Sequence, residues 1–125
     1  MFGVGGGGGM GSAADVPILS SPTDGTPTNA GATDATVSST AGSGTLYVGV
    51  VSDGGAATNA EIIAGSGGNL VAGASTSQAV TASGTQTVAA ITGLAAATQY
   101  QILYLHVGGN NQQSNQASVG LLTTA

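Results

Sequence analysis

Few side chains in this sequence are equipped for chemistry. His106 is the single histidine, the acids are Asp15, Asp24, Asp34, Asp53 and Glu61, and cysteine is absent. Histidine is the residue whose ordinary titration falls near neutrality, which suits it to general-base work or to metal ligation. Here no second histidine or cysteine exists to share a metal, and His106 sits in an apolar strand pattern where a packed, hydrogen-bonded ring is the better reading. The acids show no D-x-D-x-D-G spacing of the kind that builds a calcium loop. Asp53 stands directly before Gly54 and Gly55 and reads as an acid serving a turn. Serines abound, but no G-x-S-x-G elbow presents one as a nucleophile. Gly3, Gly5 and Gly8 match G-x-G-x-x-G in form only, because no strand pattern precedes them and no helical pattern follows to aim amides at a phosphate. The expectation is a protein that is not an enzyme, with no catalytic residue, no cofactor site and no metal site.

Charge narrows the partners. With no lysine or arginine against five acids, the formal net charge is −5. Neutralising phosphates requires cationic side chains, so neither nucleic acid nor an anionic membrane surface is an expected partner. Only 4% of the residues are charged, so the surface must be solvated by hydroxyls and amides. Lysine is the common guard of exposed sheet edges, and none is available here. The start, MFGVGGGGGMGSAADVP, lacks the cationic region and continuous apolar core of a secretory signal, so export by the usual route is not expected.

The elements that would position these residues are strands. Gly, Ala, Ser, Thr and Val dominate, which favours short strands joined by tight turns. The organising stretch is Ile91 to Val107, ITGLAAATQYQILYLHV. It reads as a tyrosine corner, in which Leu94 and Tyr100 pack inward and the phenol hydroxyl bonds a backbone group a few residues upstream. Beyond the corner, Tyr100, Ile102, Tyr104 and His106 share one face at period two, and Gln101, Leu103, Leu105 and Val107 share the other. Both faces are largely apolar, so one needs a core and the other a partner. Leu103 and Leu105 are therefore expected on an outer face that contacts another molecule. Other strands are expected at 34–40, at 45–52 (TLYVGVVS), around Ser83-Gly84 and at 114–124. Residues 60–64 (AEIIA) read as strand or irregular in preference to a helical turn.

Residues 1–14 form a glycine-rich arm with apolar pegs at Phe2, Val4 and Met10, expected to anchor on another subunit. Residues 15–32 carry Pro17, Pro22 and Pro27 and read as a semi-rigid connector with a short edge strand near 16–20. The division expected is an arm and connector over 1–32 and a compact domain over 33–125.

The order GTLYVGVV, then TQTVAAITGLAAATQYQILYLHV, then SNQASVGLLTT resembles a fibronectin type III domain. It is similar more narrowly to the fibronectin-like proteins of tailed bacteriophages and prophages, over roughly residues 33–125. The tryptophan usual in the second strand is replaced near Val37, and the corner proline by Ala96. The resemblance implies an all-β, immunoglobulin-like β-sandwich of about seven strands. Its core would be built on Leu46, Tyr47, Val48, Ile91, Leu94, Tyr100, Ile102 and Tyr104. It also implies a structural protein of a phage virion, a capsid decoration protein or head fibre in preference to a tail protein. Such a chain is made in the host cytoplasm, carried on the outer surface of the particle, and bound to the major capsid or another virion protein as a homo-oligomer or high-copy array. The alternative is a secreted bacterial adhesin or carbohydrate-binding module that recognises a ligand, such as a host-surface glycan, through its loops.

Overall fold

A computed structural model of the chain describes residues 16–125. The fold is an all-β sandwich of antiparallel sheets with one short helix. In chain order the elements are β1 (Leu19–Ser20), β2 (Thr26–Pro27), β3 (Ala32–Thr33), β4 (Thr36–Ser39), β5 (Thr45–Ser52), α1 (Asn59–Ala64), β6 (Thr76–Ala79), β7 (Gly84–Thr87), β8 (Gln99–Val107) and β9 (Ala117–Leu122). One sheet runs β1-β4-β7, the facing sheet runs β6-β5-β8-β9, and β2-β3 is a separate ribbon.

The two long strands, β5 and β8, lie side by side at the centre of the larger sheet, with Leu46 opposite His106, Val48 opposite Tyr104 and Val50 opposite Ile102. Period two sends these residues inward, where they meet Leu19, Val37 and Val88 from the other layer in one buried core. The connector joins this core. Leu19 and Ala32 are buried in it, and β1 pairs with β4. The Tyr104 hydroxyl donates to the Thr23 carbonyl at 2.7 Å. The expected boundary at residue 33 is therefore corrected: the sandwich includes residues of the proline-rich stretch, whose short apolar positions complete its core.

On the opposite face of the larger sheet, Tyr47, Gly49, Val51, Leu103 and Leu105 project outward. This face is roofed by the connection between β5 and β6, which brings Ile62 of α1 and Leu70 over the sheet. Gly49 makes room for the roof, since a Cβ there would stand 2.7 Å from Leu70 Cδ2. Leu103 and Leu105 are consequently 4% and 0% exposed. They do lie on the outer face, but their expected role as an interface with another molecule is corrected: the chain's own helix takes the place of the partner. Tyr47 belongs to this layer and stays half-buried, outside the main core assigned to it.

The reading of residues 60–64 as strand or irregular is likewise overturned. α1 is closed at its start by a capping box, in which Thr58 Oγ1 accepts from Glu61 N and Glu61 Oε1 accepts from Thr58 N. It is closed at its end by Gly65 in the left-handed conformation, φ 74°. A helix of 6 residues is too short to persist on propensity alone, so these caps and the burial of Ile62 hold it.

Candidate functional site

The corner before β8 brings Leu94 and Tyr100 into the core, both 7% exposed. The Tyr100 hydroxyl accepts a hydrogen bond from Ala95 N at 3.0 Å. Ala97 turns the chain with φ 51°, and Thr123 Oγ1 fastens the loop by donating to the Ala95 carbonyl at 2.6 Å. The corner is a clamp on a loop.

His106 lies at the far end of β8, fully buried. Its Nε2 is 2.7 Å from the Ser43 carbonyl oxygen, which can only accept, so this nitrogen carries a hydrogen. Its Nδ1 is 2.6 Å from Ser39 Oγ. In the neutral ring with its hydrogen on Nε2, Nδ1 is the acceptor, so the Ser39 hydroxyl donates to it while its oxygen accepts from Ala41 N at 3.3 Å. A serine and a histidine at hydrogen-bond distance are two members of a hydrolytic triad. Here, however, Ser39 is 4% exposed and faces its own core, so no substrate reaches its oxygen without opening the sandwich. The pair links β4 of one sheet to β8 of the other.

The acids among the described residues do not converge. Asp24 lies in the loop before β2, Asp34 in the bend between β3 and β4 and Asp53 in the turn after β5, Glu61 caps α1, and Asp15 lies outside the described residues. Among the described residues no three His, Cys, Asp or Glu side chains stand close enough to hold a metal ion. No helix among them is long and apolar enough to cross a membrane. The arm residues Phe2, Val4 and Met10 also lie outside the described residues.

The described residues also form a concave surface that the sequence did not disclose. Between the end of α1 and β6 lies a shallow cleft of about 280 Å³. It is lined by Tyr47, by Ile62, Ile63 and Gly65, and by Ser75 and Ser77. Tyr47 and Ser77 are direct cross-strand partners and so face the same side. Ser75 Oγ is buried without a hydrogen-bond partner among the described residues. The lining is a phenol ring, aliphatic carbons and hydroxyls, without a charged group, which suits a small neutral molecule with both an apolar face and hydroxyls. No residue of this cleft except Tyr47 was singled out from sequence, because its lining joins α1 to β5 and β6, which only the tertiary structure brings together. The capping pair Thr58 and Glu61, with Gly65 after it, was the legible signal for that helix.

No family model, no curated protein and no solved structure matches the chain.

Proposed function

We propose that this chain is a structural protein of a bacteriophage virion, a capsid decoration protein or head fibre in preference to a tail component. The observation that carries the reading is that the side chains capable of chemistry serve the fold. His106 and Ser39 rivet the two sheets, Tyr100 clamps its corner, and Glu61 caps a helix. The three-on-four strand order with its tyrosine corner supports assignment to the fibronectin type III group of sandwiches. In this proposal the sandwich is displayed on the outer surface of the particle. The segment carrying Phe2, Val4 and Met10 docks on the major capsid or another virion protein. Many copies hold by avidity, so each contact need be only modest.

The test is co-assembly. A chain lacking residues 1–14 is expected to give the circular dichroism and unfolding of the full chain yet to stay in the supernatant when particles are sedimented. Normal incorporation of that deletion would overturn the proposal.

The cleft beside Tyr47 favours a second reading, a secreted adhesin or carbohydrate-binding module with a host-surface glycan as ligand. Glycan-array binding by the full chain that disappears in Tyr47→Ala would favour it over the first, and an array without signal would remove it.

A further inference from the structure

Among the described residues the backbone of β9 is paired on one side only, since it closes the sheet after β8. In an antiparallel ladder alternate residues direct both N–H and C=O to the same neighbour. Thr123 N donates to the Thr98 carbonyl, and Ser114 N to the His106 carbonyl, so the even-numbered residues of β8 bond towards β9. With Tyr100 opposite Leu121 and Ile102 opposite Val119, the odd residues of β9 face β8. Ser118, Gly120 and Leu122 therefore turn their N–H and C=O groups away from the sheet. Thr124 N agrees with this alternation by donating in the other direction, to the Thr28 carbonyl.

At the other margins of the sandwich, side chains fasten the edge strands at particular points. The Gln78 side chain bridges β6 to the end of β7, donating to the Thr87 carbonyl and accepting from Ala89 N. The Asn115 amide pairs with both the N–H and the C=O of Leu19, occupying β1 as a strand residue would. Between Asn115 and Thr124 no such cover exists among the described residues. β9 itself, ASVGLL, carries no proline and no charge. An edge of this kind is a template for another strand.

We infer that β9 is a self-association edge, on which β9 of a second copy adds in antiparallel register about a two-fold axis through Gly120. The register follows from the alternation. Only pairing Gly120 with Gly120 and Ser118 with Leu122 matches all three open residues on each strand. Three pairs exchanging two bonds each then give about six backbone hydrogen bonds and a continuous sheet across both molecules. Side chains agree with the backbone. The same register sets Val119, half-buried at the rim of the core, beside the partner's Leu121 on the inner face. It also lays Leu122, 56% exposed, against the partner's strand on the outer face. A net charge of −5 opposes bringing two copies together, but none of the five acids lies on β9, so a like copy meets no carboxylate along the strand. A two-fold interface is self-complementary by construction. It concerns the free chain in solution and holds or fails whether or not the chain belongs to a particle.

The full chain is expected to show a concentration-dependent monomer–dimer equilibrium in sedimentation velocity. Gly120→Pro removes an N–H that has no partner among the described residues, so it is expected to fold and to weaken dimerisation by at least about tenfold. Register is read independently with single cysteines, which a chain without native cysteine makes unambiguous. A short bis-maleimide is expected to couple two Gly120→Cys chains and to fail with Ser118→Cys, whose two copies stand about 14 Å apart, four residues along the strand. A chain that stays monomeric at millimolar concentration, a dimer indifferent to Gly120→Pro, or equal coupling of both cysteine variants would each overturn the inference. Slow amide exchange at Ser118, Gly120 and Leu122 in a monomer would also overturn it, and would assign the edge to another segment of the same chain.

Discussion

The imidazole of His106 bonds Ser39 on β4 through one nitrogen and the Ser43 carbonyl through the other, so neither is free for a ligand. Removing one partner of a buried polar pair leaves the other unsatisfied, which costs more than the bond contributed. Ser39→Ala is accordingly expected to lower the unfolding free energy by about 1–3 kcal/mol, measured by urea titration. A loss within error would mean that the ring finds another partner and that the link between sheets is dispensable. The packed reading of His106 was available from sequence because the alternation of β8 places it with Tyr100, Ile102 and Tyr104. Its partners were not, since Ser39 is 67 residues away and one of many serines.

At the scale of elements, α1 and the loop leading to Leu70 do for the outer face what the smaller sheet does for the inner one. Ile62, 1% exposed, is the side chain by which the helix grips Leu103 and Leu105. Truncation to Ala at such a site leaves a cavity, and Ile62→Ala is expected to destabilise the chain by about 2–5 kcal/mol in equilibrium denaturation. If the roof were incidental, the loss would fall below about 0.5 kcal/mol, as for a surface substitution. Period-two patterning showed that β8 was apolar on both faces and that both had to be covered. It did not say by what. The Thr58-x-x-Glu61 box and Gly65 marked the helix ends, but two adjacent isoleucines in a five-residue run favour strand by propensity and masked the signal.

Across the whole molecule, the proline-rich stretch is tied to the sandwich at Tyr104. Burial pushes this phenol above its ordinary range, and the nearby charge of Asp24 adds to the shift. A group whose folded-state pKa is raised contributes stability that is complete below its unfolded value, about 10 for tyrosine, and is lost as pH climbs beyond it. The urea midpoint of the native chain is therefore expected to fall between about pH 8 and about pH 11 more steeply than that of Tyr104→Phe. The variant should be weaker at the lower pH by about 1 kcal/mol for the lost bond to Thr23. Parallel pH profiles in the two chains would contradict this account of the tie.

The amino-acid sequence by itself determined that the chain is all-β, where its two long strands run, which residues of β8 face inward and that a corner forms at Tyr100. These follow from period-two patterning and turn chemistry, which act over a few residues. Only the tertiary structure decided that residues 16–32 complete the core, that α1 covers Leu103 and Leu105, and that β9 is left with an open edge. Each of these is a meeting of segments far apart in the chain. An apolar face is stabilised about equally by any apolar cover, so local pattern demands burial without naming what supplies it.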